Sequence, residues 1–262
     1  MIACADRLEV IAVPGVRLVG RGDDVPAIVW GAIESAGLKL ADGDVLVVTS
    51  KILSRAEGRF VALPTVEPSQ RALELSKQVG KDPRIVELIL RESTDVSRKA
   101  RGVPVVRHRL GFIVANAAID ASNAVPPGAP PASGPWALLL PQAPDESAAS
   151  IRARVEAESG VQIGVVVSDS FGRPFRLGTV GVAIGMSGLP PLWDRRGEPD
   201  LFGRPLEQTI TALGDQVAAA ADLVAGQAAE GRPLVLVRGL RFEPDDQGAG
   251  SLLRSREEDL YA

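Results

Sequence analysis

Short β-branched apolar runs alternate along the chain with longer mixed stretches, and that rhythm predicts most of the elements. "DVLVVTSK" (44–51) follows the turn "ADGD" and reads as a buried strand, because four consecutive apolar residues leave no polar face. Residues 68–92 read as two helices. "EPSQRALELSKQVG" closes on Gly80, and "DPRIVELILRES" opens with Asp82 as cap and Pro83 at the first helical position. "VPVVRHRLGFIVANA" is expected to be a hairpin with strands near 103–108 and 111–116. "NAVPPGAPPASGP" (123–135) holds five prolines and is expected to be a loop.

Further on, "DESAASIRARVEAESG" predicts a helix that starts at Asp145 and stops at Gly160. "VQIGVVVSD" (161–169) returns to strand. "TVGVAIGMSG" (179–188) is strand-like, and its glycines imply close backbone packing or ligand approach. A helix is expected from about Asp215 to Ala225, with an Ala-rich face suited to tight packing, and "RPLVLVRGL" is another buried strand. Strands and helices mix without a regular βαβ alternation, so an α+β fold is expected rather than a doubly wound sheet.

Composition adds mainly exclusions. The 262 residues are 45% apolar and 24% charged, enough for one large domain or two modest ones. A net charge of −4 argues against a nucleic-acid binder that relies on bulk positive charge. Cys4 and His108 are the only residues of their kinds, so no intrachain disulfide forms and zinc sites built from several such ligands are excluded. No run of 18 apolar residues exists, and "MIACADRLEV" places acids where a signal peptide is cationic and then apolar. A cytoplasmic protein is the expectation.

Candidate chemistry concentrates at strand ends. His108 stands between two arginines on a predicted strand with no G-x-S-x-G elbow elsewhere, so a structural or surface role outweighs a catalytic relay. Cys4 has no basic partner nearby in sequence and reads as a small apolar residue. Asp120 in "VANAAIDASN" and Asp169 in "VVVSDS" follow predicted strands and could share a hard cation such as Mg²⁺. From spacing alone, a pair of ordinary turn residues is the stronger reading. Ser50 and Lys51 close the first strand; they can grip phosphate, or form a solvated surface, and no Walker pattern is present. "PGVRLVGRGDD" is a second Gly/Arg loop. In "VVVSDSFGRPFRLG", Asp169, Ser170, Arg173 and Arg176 put an anion, a hydroxyl and two cations where a bland turn would suffice, a mixture suited to a metal ion beside a phosphate.

The ordered set "GDVLVVTSKILSRAEGR", "NAAIDASN", "VVSDSFGRPFRLGTVGVAIGMSG", "DLFGRPLEQT" and "RSREEDL" resembles the successive signatures of the coenzyme F420-0:L-glutamate ligases, over about residues 9–260. The resemblance implies an enzyme that uses GTP to add γ-linked L-glutamate to coenzyme F420-0 through an acyl phosphate, with Mg²⁺ or Mn²⁺ (two ions) and K⁺. It implies a single ligase domain over 1–262, made of two intertwined α+β subdomains in a homodimer. No nitroreductase-like domain, no nucleic-acid partner and no membrane partner are expected. On this chain the implied GTP contacts fall on Pro14, Gly15, Val16, Arg17, Ser50, Lys51, Arg55 and Asn123. The implied metal ligands are Asp120, Asp169, Ser170 and Gln227, the last at a position that is often Glu. Arg173 and Arg176 are expected to hold anionic substrate groups beside the catalytic aspartates. A metal-dependent kinase or phosphatase and a non-catalytic GTP-binding protein are the alternatives.

Overall fold

A computed structural model describes residues 2, 6–130 and 133–258, so Cys4 lies outside the described residues. The chain opens with β1 (Glu9–Ala12), α1 (Val25–Ser35), β2 (Val45–Thr49) and α2 (Ser50–Ala56). Next come β3 (Phe60–Ala62), α3 (Gln70–Val79), α4 (Pro83–Arg91), β4 (Ser93–Ala100), β5 (Val103–His108), β6 (Ile113–Ala115) and β7 (Trp136–Leu138). The remainder holds α5 (Pro144–Ser159), β8 (Gly164–Arg173), β9 (Arg176–Ser187), β10 (Leu192–Asp194), β11 (Ile210–Ala212), α6 (Leu213–Ala225) and β12 (Leu234–Arg238).

The main sheet has the order β1-β12-β2-β8-β9. Only β2 and β8 run parallel; every other neighbour in it is antiparallel. Its central strands are continuous apolar runs because helices cover both faces. Leu46, Val48, Val165, Val167, Leu234 and Leu236 pack under α1 and α5 against Val29, Ile33, Ile151 and Val155. Their neighbours Val45, Val47, Val166, Val235 and Val237 face α6 through Val217, Ala218 and Ala221. Each fully buried Val or Leu contributes about 1.5–3 kcal/mol of transfer free energy. The glycines of β9 are there for contact: a Cβ on Gly181 would stand 2.5 Å from the Ala218 carbonyl oxygen, and one on Gly185 would stand 2.4 Å from the Pro144 carbonyl carbon.

A smaller lobe is inserted between α2 and α5. It joins the ribbon β3-β7 and the sheet β4-β5-β6 to α3 and α4, around cores of its own at Leu63, Val66, Leu88 and Leu139 and at Ala72, Leu75, Val79 and Val86. The architecture is therefore α+β in two parts. Among the described residues no helix is long and apolar enough to cross a membrane.

Helix α3 ends on left-handed Gly80 and Asp82 caps α4, as their sequence signals predict, and Ser69 caps α3. Four expectations change. Strand β2 ends at Thr49, so Ser50 and Lys51 open a helix rather than close the strand. Helix α5 starts at Pro144, and Asp145 does not cap it; its carboxylate instead accepts the Met186 and Ala249 N–H groups, at 2.7 and 2.9 Å. Strand β8 does not turn at Asp169 but continues to Arg173, because β9 pairs with it all the way. Helix α6 begins at Leu213, and Asp215, in its first turn, caps the N–H of Ala183 on the edge strand β9 instead of its own helix.

An ionic cluster around buried Glu92 braces the small lobe from within. Glu92 Oε2 accepts from Arg59 (2.7 Å) and Arg109 (3.0 Å), and the two arginines also donate to the carbonyls of Leu140, Pro141 and Gln142. Burial pushes the Glu92 carboxyl up, but the facing His108 ring and the two guanidinium groups outweigh it and hold the pKa at about 2. His108 itself is fully buried, stacked on Phe112 at 5.0 Å, with Nδ1 accepting the Leu110 N–H and with its pKa lowered, mainly by burial. Its role is structural.

Replacing Glu92 by Gln leaves the half-buried Arg59 and the more exposed Arg109 without a counter-charge. The expected cost is about 1.5–3 kcal/mol at pH 7. Because the folded pKa lies below the unfolded one, that deficit should shrink as pH falls from about 4 towards 2. Urea denaturation at both ends of this range checks it.

Candidate active site

Parallel pairing of β2 with β8 sets Thr49 opposite Ser168, so the carboxyl ends of both strands open at one level. Ligands of mixed sheets gather at such strand ends. The first turn of α2 rises from one strand with Ser50 and Lys51, while β8 carries Asp169 and Ser170 just past the pairing. Ser50 Oγ donates to Asp169 Oδ1 at 3.2 Å across 119 residues of chain. Lys51 Nζ pairs with Asp120 Oδ2, bringing in the small lobe.

Asp120 is delivered by an unusual backbone. Asn116, Ala117 and Ala118 are all left-handed, with φ of 55°, 52° and 51°. Each such residue costs about 1–2 kcal/mol. The turn persists because buried Ala117 is packed beneath it and Asp120 exchanges both backbone hydrogen bonds with Leu138, at 3.0 and 2.8 Å. The two oxygens of Asp120 do different work. Oδ1 accepts from Ser122 N and Oγ (2.7 and 2.6 Å), as a turn residue does, while Oδ2 faces Lys51.

Asp169 is the electrostatic oddity. Its pKa is raised to about 7, chiefly by burial, with the Asp120 charge adding to the rise; the Ser170 backbone, Ser50 hydroxyl and Lys51 oppose it. Strong perturbation by desolvation together with a specific charge partner is a mark of functional carboxylates.

Beyond Asp169, Ser170 Oγ donates to Gln227 Oε1 at 2.9 Å, and the Gln227 amide nitrogen donates to Asp222. Asn123 Nδ2 reaches Ala228 O at 3.4 Å, and Asn123 in turn receives Arg55 Nη1 on its carbonyl at 2.9 Å. Arg55 is buried, donates Nε to Val19 O at 2.7 Å and lies 5.1 Å over the Phe60 ring. It clamps the loop before α1 to the loop after Asp120, and burial lowers its pKa. The Pro14–Arg17 segment leaves β1 next to buried Val13, with Gly15 at φ +85°. Arg17 makes a two-pronged pair with Asp23 at 2.6 and 2.9 Å.

Of the residues singled out in sequence, Asp120, Asp169, Ser170, Gln227, Ser50, Lys51, Arg55 and Asn123 form one connected network. Arg17 joins it only through its loop. Arg173 and Arg176 stand apart at the tip of the β8-β9 ribbon; Arg173 is four residues beyond Asp169, about 13 Å along the strand. Two participants were not anticipated. Ser122 carries a signal, the Asp-x-Ser spacing of an Asx turn; Asp222 carries none, being one more acid near a helix end.

A profile of the F420-0:Gamma-glutamyl ligase family matches residues 15–239. The chain belongs to this family. The coenzyme F420:L-glutamate ligase of Methanothermobacter thermautotrophicus is 44% identical over 256 residues, covering 97% of this chain and 98% of the relative. Its counterpart in Methanopyrus kandleri is 44% identical over 258 residues (97% and 97%), and that of Archaeoglobus fulgidus is 40% identical over 257 residues (97% and 96%).

For an F420-0:gamma-glutamyl ligase the donor set can be tested against a divalent cation. Among the described residues no three Asp, Glu, His or Cys side chains cluster as a metal site. Asp120 and Asp169 lie close enough to feel each other's charge, with the Ser50 hydroxyl on Asp169 and the Ser170 hydroxyl and Gln227 amide oxygen paired at the next residue of the strand. That is an all-oxygen set of low charge, which fits Mg²⁺ or Mn²⁺ completed by water and substrate phosphate rather than an all-protein cage.

The raised pKa yields a signed expectation. The unfolded Asp169 carboxyl titrates near 3.9, and the folded one at about 7. The metal-free protein therefore loses stability as pH rises from about 4 to 7. Asp169→Asn removes this term, so its advantage over the parent should grow from near zero at pH 4 to on the order of 4 kcal/mol at pH 8. Denaturant titrations at the two pH values test it; a pH-independent difference would refute the assignment.

Proposed function

We propose that this chain joins L-glutamate to coenzyme F420-0, and extends it with further γ-linked glutamates, at the expense of GTP. The observation that carries the reading is the meeting of Ser50 and Lys51 with Asp120 and Asp169 at the open ends of the parallel pair. The coenzyme F420:L-glutamate ligases to which the chain is similar supply the substrate class.

The acceptor carboxylate of F420-0 attacks the γ-phosphorus of GTP, giving an acyl phosphate and GDP. The glutamate amine then attacks the acyl carbon, phosphate departs and an amide remains. Lys51 neutralises charge on the transferred phosphoryl group, and the Ser50 hydroxyl and the α2 backbone N–H groups orient it. The nucleotide lies along Pro14, Gly15, Val16 and Arg17 and reaches Asn123, with Arg55 fixing both loops. Asp120, Asp169, Ser170 and Gln227 would hold two Mg²⁺ or Mn²⁺ ions, which when bound supply charge neutralisation and in-line alignment. Arg173, whose buried Nε–H has no acceptor among the described residues, and Arg176 bind anionic parts of the substrates. No covalent protein nucleophile is needed.

A cleft of about 410 Å³ beyond Phe171, two residues past Asp169 on the same strand, is walled by Phe112, Val182, Ile184 and Leu252 and has room for the ring system of the acceptor. Incubation with GTP, Mn²⁺, L-glutamate and F420-0, with and without K⁺, should yield glutamyl mass increments together with GDP and phosphate. Asp120→Asn and Asp169→Asn should each lower kcat at least about 100-fold. Phosphate release indifferent to glutamate would mark a phosphatase or kinase instead, and binding without turnover a GTP-binding protein.

The same reading includes an intertwined homodimer. Among the described residues, no third strand joins the β8-β9 ribbon past Ser168, and it exposes Phe175 (90%) and Leu177 (98%). A two-stranded ribbon is marginal alone and gains from a partner surface. Sedimentation should give twice the chain mass, and Phe175→Asp with Leu177→Asp should shift it to the monomer; a monomeric parent at tens of micromolar would remove the dimer.

A further inference from the structure

The proposed metal-binding end of the site includes a neutral ligand, and its orientation is not left free. Gln227 follows α6 by two residues and Asp222 lies in the last turn of that helix. A Cβ on Gly181 would stand 3.1 Å from Asp222 Cβ, and Gly181 is the strand partner of Ser170. Asp222 is therefore seated directly beside the Ser170–Gly181 pair. From there it accepts the Gln227 amide N–H, and Gln227 Oε1 is left facing the Ser170 hydroxyl at 2.9 Å.

A primary amide presents oxygen and nitrogen with almost the same shape, and only the oxygen can ligate a hard cation. A carboxylate acts as acceptor only, so it selects the nitrogen and turns the oxygen the other way. We infer that Asp222 is a positioning residue: it fixes the Gln227 carbonyl oxygen towards Ser170 and so completes the second cation site with a neutral ligand. It also places a negative charge one hydrogen bond behind that ligand, which raises the ligand's donor strength, as outer carboxylates do for metal-bound histidines. This rests on the metal-dependent reading of the site and adds to it a residue on which that reading does not depend.

The test is a Mn²⁺ titration followed by the electron paramagnetic resonance of free Mn²⁺, with the non-hydrolysable β,γ-imido analogue of GTP present. The parent should take up two ions. Asp222→Asn, whose amide can donate as well as accept, should weaken the second ion about tenfold and leave the first unchanged. Asp222→Glu keeps the acceptor and should retain most of the affinity. In a Gln227→Glu background the ligand has no amide to orient, and Asp222 becomes a like-charged neighbour; there Asp222→Asn should cause no loss. A merely structural role for Asp222 predicts the same loss in both backgrounds, and that result overturns the inference. So does an unchanged second affinity in the single variant. Uptake of one ion at Asp120 and Asp169 overturns it while leaving the ligase reading standing, whereas no uptake at all removes the metal reading along with it.

Discussion

Five residues of parallel strand pairing, from Val45 opposite Gly164 to Thr49 opposite Ser168, hold the site in place. Strands that run the same way finish on the same side, and whatever follows each of them must meet. Here one strand passes into a helix, which puts Ser50 and Lys51 in its first turn. The other continues as a ribbon, which puts Asp169 and Ser170 in its wall. The valine and leucine runs buried on both faces fix the register, because a slip by one residue would exchange the residues under α1 and α5 with those under α6.

Two carboxylates, Glu92 buried and Asp169 half-buried, show how that frame is used. Glu92 is met by Arg59 and Arg109, and its pKa is held at about 2; it braces the small lobe and stays ionised throughout the physiological range. Asp169 is met mainly by a hydroxyl, with a second carboxylate close enough to oppose ionisation, and its pKa rises to about 7. Burial acts on both in the same direction. The number of cations nearby decides which becomes a brace and which is left short of positive charge, and a shortage of that kind is what a divalent ion or a phosphate-bound cation relieves.

The small lobe has one task at this centre, the delivery of Asp120. The left-handed turn at Asn116–Ala118 would be costly in isolation and survives because Ala117 is buried and Asp120 is bridged to Leu138. Arg55 serves the opposite wall by joining Val19 and Asn123 through two backbone carbonyls. The planar fork of arginine can serve two such acceptors at once, which a lysine ammonium in that place would do less rigidly.

Much of this was legible in the chain itself. The buried strands, the cap at Asp82 and the stop at Gly80 follow from local chemistry, since each depends on residues near in sequence. The family resemblance points to Asp120, Asp169, Ser170 and Gln227, and the fold links them in one network. Only the tertiary structure decided that Ser50 and Lys51 begin a helix, that Asp145 and Asp215 serve distant backbone N–H groups rather than their own helix, and that Arg173 stands at a ribbon tip. The role of Asp222 was hidden because it depends on Ser170 and Gly181, which strands distant in sequence set beside it. Hydrogen-bond partners and desolvation are set by which segments the fold brings together, and nothing within a few residues of Asp169 records what will face it.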